Sequence, residues 1–290
     1  MSPSPVTWST VAELKSPFLI MGFHGWSNAG NVSSDTLTYL GEVLQPRVVA
    51  TICEESFVDY TVNRPIAQIE NGIIYELEPM LAEVTCWINP SGNHDLVLIL
   101  GKEPHLAWRQ YAEMILDIVR RLNVERLYTI GGVQDTVSHA GPALVTVVGS
   151  SPSVVGDTMK LDRDIKAADY YGPVSIHSSL IKACMDAGVQ AASLWGHVPA
   201  YLQKSPRIVA KLVTILSEAA EMSCSVEPLK QKSLELDRKI NEALSKDPDL
   251  KQFVESIRKK ENVRSLSSTD DKIIHINDFI RKDPRKDPEP

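Results

Sequence analysis

Residues 18–30 read FLIMGFHGWSNAG, an uncharged apolar run that passes into a glycine-rich turn. A continuous apolar run of this kind is typical of a strand covered on both faces of a sheet. The chain then carries leucines at helical spacing, at positions 37, 40 and 44. The segment therefore predicts a buried strand, a sharp turn and a helix that packs back on the sheet, which is the repeating unit of α/β proteins.

Seven further segments are predicted to be strands, because each is a short run of mainly apolar residues. They are residues 48–53, 73–77, 84–88, 96–100, 127–130, 144–148 and 191–195. Between Cys53 and Leu100 the chain is too short to place a helix between every pair of strands, so part of the sheet should be antiparallel. The predicted fold class is α/β with a mixed, mostly parallel sheet.

Three helices in this part of the chain have recognisable limits. Between Trp108 and Leu122 the apolar residues recur at helical spacing, which predicts an amphipathic helix that covers the sheet. A helix over residues 178–187 is predicted to end at Gly188, a residue suited to a left-handed cap. The pair Ser205-Pro206 predicts the start of a third helix, with the serine hydroxyl as its cap.

Charge and glycine content divide the 290 residues into two parts, although the formal net charge is −7 overall. Residues 1–224 hold 15 Lys and Arg against 23 Asp and Glu, and residues 225–290 hold 15 against 14 with no glycine. We predict an α/β domain over 1–224 and a helical hairpin over 225–290, with Asp247-Pro248 at the start of its second helix. The charged, proline-rich end after a short apolar run (Ile273, Ile276, Ile280) is predicted to be disordered.

Composition excludes several classes of partner. The negative net charge argues against binding to duplex nucleic acid. No apolar stretch approaches the roughly 20 residues needed to span a bilayer, and the first residues do not resemble a signal sequence, so a cytoplasmic protein without membrane contact is expected. Its four cysteines are too widely spaced for a zinc or redox pair and are predicted to be free thiols.

The turn at residues 25–30 is the first candidate binding site, with Gly25, Trp26, Asn28 and Gly30 as its residues. Backbone N–H groups at such a turn can point at an anion, and the dipole of the following helix would favour it. The spacing matches neither a P-loop nor a dinucleotide fingerprint. The alternative interpretation is structural, with glycines that permit close packing and Trp26 as an apolar anchor.

A second candidate, Asp135, lies in the segment GGVQDTVSH at residues 131–139, which follows a predicted strand. Ligands of open α/β sheets bind at the carboxyl ends of strands, and Ser138 with His139 are residue types of a nucleophile and its base. However, these two are sequence neighbours, whose side chains point to opposite faces on a strand. The alternative is that all three are polar loop residues.

The third candidate is the segment WGHVPAY, which supplies Trp195, His197, Pro199 and Tyr201. Because imidazole titrates near neutral pH, His197 could act as an acid, a base or a ligand. No second ligand lies at metal-binding spacing from it, so no metal site is predicted. The histidine could equally hydrogen-bond a loop while the two aromatic residues cover the sheet edge. A cluster of His24, His139 and His197 is also open, since each follows a strand.

The motifs GWSNAG (residues 25–30) and WGHVPAY (residues 195–201), with the glycine pair at 131–132 between them, resemble the proteasome assembly chaperone 2 family. The resemblance spans residues 18–220. It implies a three-layer α/β/α sandwich similar to the nucleoside phosphorylase-like fold, and a non-enzymatic role. Eukaryotic members act in pairs as chaperones for proteasome α-subunits, prokaryotic relatives tend to self-associate, and the helical tail resembles an extension of prokaryotic members. Family members often carry Asp where this chain has Asn28, which weakens a catalytic role for the turn.

The leading hypothesis is a self-associating, non-catalytic binding protein, with itself and possible proteasome subunits as partners and with neither cofactor nor metal. The hairpin after residue 225 would serve oligomerisation or cover the sheet domain. The alternative is an enzyme that processes nucleosides or phosphate esters on the same fold. In that alternative the turn at residues 25–30 holds an anion, and His24, Asp135 or His197 is the acid or base.

Overall fold

A computed structural model describes residues 4–78 and 80–266 of the chain. Eleven strands are found within these residues, and all eight predicted strands are among them. In chain order they are β1 (Val6–Trp8), β2 (Phe18–His24), β3 (Arg47–Cys53), β4 (Ala67–Glu70), β5 (Ile73–Leu77), β6 (Leu81–Trp87), β7 (Leu96–Lys102), β8 (Arg126–Asp135), β9 (Val145–Gly149), β10 (Ile165–Ala167) and β11 (Gln190–Pro199).

Nine of these strands form one mixed sheet in the order β1-β3-β6-β7-β2-β8-β11-β9-β10. The four central strands, β7, β2, β8 and β11, are parallel, because crossover helices connect them. Antiparallel neighbours flank them, so the described sheet has four parallel and four antiparallel pairings. The mixed α/β fold is therefore confirmed, with three of the four parallel pairings at its centre and the fourth, between β9 and β10, at one edge.

Helices cover both faces of this sheet and complete a three-layer α/β/α sandwich, as predicted. They are α1 (Val32–Leu44), α2 (Trp108–Arg121), α3 (Pro152–Lys160), α4 (Ile176–Asp186), α5 (Pro206–Ala219), α6 (Glu227–Lys246) and α7 (Pro248–Leu266). Apolar residues of α2 and α4 pack on one face, and those of α1, α3 and α5 pack on the other. Leu19, Met21 and Phe23 of β2 face the first group while Ile20 faces the second, which explains the uninterrupted apolar run.

The predicted end of α4 and the predicted start of α5 are both found, but the group that caps α5 is not the predicted one. After α4, Gly188 has φ of 70°, and the N–H of Val189 donates to the carbonyl of Cys184 at 2.8 Å, as a glycine cap requires. Before α5, the Ser205 hydroxyl does not cap the helix, so that detail of the prediction is wrong. The backbone carbonyl of Ser205 accepts from Ile208 and Val209 instead, at 3.1 Å each.

The predicted helical hairpin corresponds to α6 and α7, with Pro248 in the first turn of the second helix. Leu229 of α6 is buried in the same apolar cluster as α5, and Val254 and Ile257 of α7 are buried as well. The division into 1–224 and 225–290 stays a prediction. The run containing Ile273, Ile276 and Ile280 and the end predicted to be disordered lie outside the described residues.

Two features depart from the predicted arrangement. Residues 73–77 form a strand, but this strand pairs with β4 alone, outside the main sheet. The short strands β1, β4 and β10 and the helix α3 were not predicted.

Cys53, Cys86, Cys184 and Cys224 are free thiols, and burial raises the pKa of Cys86 and Cys184 to about 11. Within the described residues, the helices all lack the combination of length and apolarity that crossing a bilayer requires.

Candidate functional site

The three candidate segments meet because they lie at the carboxyl ends of β2, β8 and β11, which are adjacent parallel strands. The N–H of Gly132 in β8 donates to the carbonyl of Ser27 at 2.7 Å, which ties the turn after β2 to β8. The N–H of Ala200 donates to the carbonyl of Asp135 at 3.0 Å, which ties the end of β11 to β8. We call this region, at the carboxyl ends of the central strands, the carboxyl edge.

The turn at residues 25–30 is held together by its own side chains. Asn28 accepts a hydrogen bond from the N–H of Ser34 at 3.1 Å, and its amide donates to the Ser34 hydroxyl at 2.9 Å. The amide side chain thus satisfies a free N–H in the first turn of α1, which a helix terminus requires. Gly25 and Gly30 have positive φ angles, 142° and 61°. This geometry favours the structural interpretation of the turn.

The position of Trp26 does not fit the structural interpretation, in which this residue is an apolar packing anchor. Its side chain is 69% exposed, although Ser27 beside it is fully buried. An exposed indole next to a rigid turn contributes little to folding stability, but it is a common anchor residue of protein interfaces.

The glycine pair in β8 allows the backbone of Ala29 and the ring of Trp195 to approach this strand closely. A Cβ at Gly132 would lie 2.4 Å from the carbonyl oxygen of Ala29, and one at Gly131 would lie 2.7 Å from the Trp195 ring. Both positions therefore need a residue without a side chain. Trp195 consequently lies across β8 rather than at the sheet edge, with its ring centroid 4.8 Å from that of His177.

Asp135 and His197, 62 residues apart in sequence, form a hydrogen-bonded pair across the carboxyl edge. The Nδ1 atom of His197 lies 2.9 Å from Oδ2 of Asp135, and its Nε2 lies 3.0 Å from the Thr146 hydroxyl on β9. The histidine side chain is 16% exposed and the aspartate 25%. The arrangement of hydroxyl, imidazole and carboxylate could move a proton, but each ring nitrogen of His197 already has a partner within the protein.

His139 and Tyr201 form a separate pair at this edge. The Tyr201 hydroxyl lies 2.7 Å from Nδ1 of His139 and accepts from its backbone N–H at 2.9 Å. Burial, followed by the positive charge of Arg258, lowers the pKa of His139. Ser138 instead accepts from the Arg258 guanidinium at 3.3 Å, so Ser138 and His139 do not form the nucleophile and base considered from the sequence.

The helical hairpin covers this second pair. The Phe253 ring of α7 contacts Tyr201 at a centroid distance of 6.4 Å, and Arg207 of α5 pairs with Asp237 of α6 at 3.1 Å. A cavity of about 20 Å³ remains between α6 and the carboxyl edge, and its lining includes His139, His197 and Pro199. Of the three histidines considered together from the sequence, His139 and His197 line this cavity and His24 does not.

A buried polar network beneath the edge was missed from the sequence. His177, in the first turn of α4, lies 2.9 Å from the Thr129 hydroxyl and 3.1 Å from the Ser27 hydroxyl, and Ser27 contacts Glu103 at 3.3 Å. Burial lowers the pKa of His177 to about 3, so the ring is neutral. Glu103 directly follows β7, and the rule that polar residues gather after parallel strands could have found it. His177 had no such signal.

These features define a class of protein: a three-layer α/β/α sandwich with a mixed sheet and a hydrogen-bonded carboxyl edge that is partly covered by a helical hairpin. The model of the PAC2 family matches residues 22–244, and the chain belongs to this family. The resemblance seen in the sequence motifs is thereby confirmed. The sequence matches none of the curated proteins.

Solved structures agree with this assignment. A Mycobacterium tuberculosis proteasome-assembly chaperone homologue is 25% identical, with a TM-score of 0.73, and the similarity covers 82% of this chain and 99% of that one. A PAC2 family protein from Streptomyces avermitilis is 27% identical, with a TM-score of 0.69 and coverage of 78% and 95%. An M. tuberculosis protein of unknown function shares the fold at 19% identity, with a TM-score of 0.79 and coverage of 92% of each chain.

Proposed function

We propose that this protein is a non-enzymatic, self-associating binding protein that acts on other protein chains in the manner of an assembly chaperone. The observation that carries the proposal is membership of the PAC2 family together with the similarity to a proteasome-assembly chaperone homologue over 99% of that chain. Proteasome subunits are therefore the first partner to test. The proposed location is the cytoplasm, and no cofactor or metal is invoked.

The geometry of the carboxyl edge supports a protein partner more than a small ligand. Pockets for small ligands usually enclose roughly 300–1,000 Å³, whereas the cavity beside His139 and His197 measures about 20 Å³. A wider depression of about 460 Å³ lies between β1 and α2, among the described residues but away from these side chains. Nucleoside or phosphate-ester chemistry at this edge is accordingly not favoured.

The exposed Trp26 offers the contact that a protein partner would use. Tryptophan is enriched among the residues that dominate binding energy at protein interfaces, and this one stands on a turn fixed by Asn28 and Ser34. A rigid support lowers the entropy lost on binding. We propose that Trp26 contacts the partner and that Asp135, His197 and Tyr201 hold the neighbouring loops in place.

The proposal is tested by mixing the purified full-length chain with purified proteasome α-subunits and measuring complexes by native mass spectrometry. We expect a complex with the wild-type chain and a weaker one with Trp26→Ala. Met185→Ala is the matched control, because Met185 is 56% exposed in the last turn of α4, at the opposite edge of the sheet. If the wild-type chain forms no complex, the proposed partner is wrong.

A further inference from the structure

The strand β1 is the last strand of the main sheet on one side, and its outer edge has no neighbouring strand within the described residues. On its inner edge, the carbonyl of Pro5 accepts a hydrogen bond from the N–H of Cys53 at 2.8 Å. Along an antiparallel strand, residues that bond to the neighbour alternate with residues whose backbone groups point away from it. Val6 and Trp8 therefore direct their backbone groups to the outer edge.

This outer edge is able to pair with a further strand. The N–H of Val6 donates to the Ser4 hydroxyl at 3.3 Å, which leaves the carbonyls of Val6 and Trp8 and the N–H of Trp8 for a new partner. Edge strands are commonly protected by proline or by charged side chains. Residues 6–8 include neither, and the N–H that Pro5 lacks would point toward β3.

A groove of about 460 Å³ runs along the same strand, between β1 and α2. On the strand side its lining includes Ser4, Val6 and Trp8, which are alternate residues and share one face. On the helix side it includes the buried side chains of Met114 and Ile118. Because a strand added to β1 would lie about 4.8 Å from it, alternate side chains of that strand would enter this groove.

The far wall of the groove carries an unneutralised positive charge. Arg120 pairs with Asp117 on the same helix. Arg121 instead lies over the Trp8 ring, with its guanidinium carbon 4.4 Å from the ring centroid, and forms no ion pair within the described part of the chain. Since residues 1–224 hold 23 acidic side chains against 15 basic ones, this cation is a local exception that favours an acidic ligand.

We propose that an extended segment of a partner protein adds to the outer edge of β1, places alternate apolar side chains in the groove and pairs an acidic side chain with Arg121. In this mode of recognition, backbone hydrogen bonds supply affinity and the side chains that enter a pocket supply specificity. The groove is separate from Trp26, so the inference goes beyond the proposed function and requires neither self-association nor a proteasome subunit.

Two synthetic peptides, TVTETVT and TVTKTVT, test the charge preference of the groove. In an extended peptide, the two valines and the central glutamate or lysine lie on one side and the threonines on the other. We expect the full-length wild-type chain to bind TVTETVT at least about fivefold more tightly than TVTKTVT. The measurement is fluorescence anisotropy, with both peptides blocked at their ends and carrying the same label.

A charge reversal at Arg121 tests which residue sets this preference. Arg121→Glu should reverse it, because the new carboxylate repels the glutamate peptide and attracts the lysine peptide. Arg109→Glu is the matched control, since Arg109 is exposed in the first turn of α2 and is not part of the groove lining. It changes the net charge equally and should keep the preference for TVTETVT.

N-methylated peptides test the backbone pairing. A strand at the edge of a sheet pairs on one side only, so its N–H groups alternate between β1 and solvent. One version of TVTETVT is methylated at the valines and the glutamate, and the other at the threonines. We expect one version to lose binding and the other to keep it.

The outcomes that overturn the inference are distinct from those that test Trp26. Equal binding of TVTETVT and TVTKTVT to the wild-type chain, or a preference that Arg121→Glu leaves unchanged, overturns the acidic contact. If both methylated peptides bind as tightly as the parent peptide, no strand is added to β1. If TVTETVT dissociates an assembly of the wild-type chain without any preference for glutamate, the edge belongs to a second copy instead. The peptide comparisons use the wild-type chain and do not depend on how well Arg121→Glu folds.

Discussion

Gly132 controls how closely the turn after β2 approaches β8. A Cβ there would lie 2.4 Å from the carbonyl oxygen of Ala29, and since that atom belongs to the backbone, a side-chain rotation cannot relieve the clash. We expect Gly132→Ala to lower the free energy of unfolding by about 2 kcal/mol or more, measured by urea denaturation. Gly41→Ala is the control, because Gly41 lies in α1 and a Cβ there would meet no atom of the described residues within 4 Å. It should raise stability by about 0.5–1 kcal/mol. Equal effects of the two substitutions would contradict the close approach.

Glu54 is a buried carboxyl group whose charge the fold disfavours. Burial raises its pKa to about 7, against the opposing backbone hydrogen bond and positive charge of Lys102. The folded state therefore holds the proton up to about pH 7, whereas the unfolded chain releases it near pH 4.5. This contribution to stability is complete below pH 4.5 and is lost as the pH rises through 7, by on the order of 3 kcal/mol.

Glu54→Gln should remove that loss, because an amide oxygen can still accept from the Lys102 N–H, 3.0 Å away in the wild type. The measurement is the free energy of unfolding of both proteins at pH 5 and pH 8. We expect the free energy of unfolding of the variant, relative to that of the wild type, to be higher at pH 8 than at pH 5. A constant difference would show that the Glu54 carboxyl titrates normally.

Among the strands and helices, the sequence predicted those whose apolar pattern follows from burial against neighbouring elements. The run 18–23 was recognisable because both faces of β2 are buried, and α2 because one side packs on the sheet. The strands β1 and β10 have three residues each and form only by pairing with β3 and β9. Their own residues therefore carry no recognisable strand pattern. Residues 73–77 have strand composition, but that composition could not indicate that they leave the main sheet.

The candidate site was predictable only in part, for a similar reason. Asp135 and His197 were found because each follows an apolar run, yet their pairing depends on β8 and β11 being neighbours in register. Thr146, the second partner of His197, is the second residue of β9 and has no local signal. For Trp26 the sequence left two interpretations open, a binding residue and a packing anchor, because its exposure depends on the direction of the turn rather than on residue type.

The first turns of α6 attach the helical hairpin to the sandwich. Leu229 is 5% exposed and packs in the cluster that contains α5, whereas Leu234 on the same helix is 68% exposed. We expect Leu229→Ala to lower the free energy of unfolding by about 2–4 kcal/mol, and Leu234→Ala by less than about 0.5 kcal/mol. Chemical denaturation measures both. If Leu229→Ala proves as mild as Leu234→Ala, the hairpin does not share the core of the sandwich.

For the whole molecule, the sheet topology brings most of the features that matter for binding to one side. Trp26, the pair of Asp135 and His197, and the base of the β4–β5 hairpin all lie at the carboxyl edge, because the strands that end there run in the same direction. The acidic charge belongs to residues 1–224 and the nearly neutral helical hairpin packs beside this edge. We propose that this side of the molecule binds the partner that Trp26 contacts.

The measurement that tests the account most directly is the mass of the full-length chain by light scattering over a range of concentrations. Self-association is central to the proposed function. Self-association predicts a mass of at least twice 32.1 kDa and an assembly that dissociates on dilution. A monodisperse species of 32.1 kDa at all concentrations would contradict it.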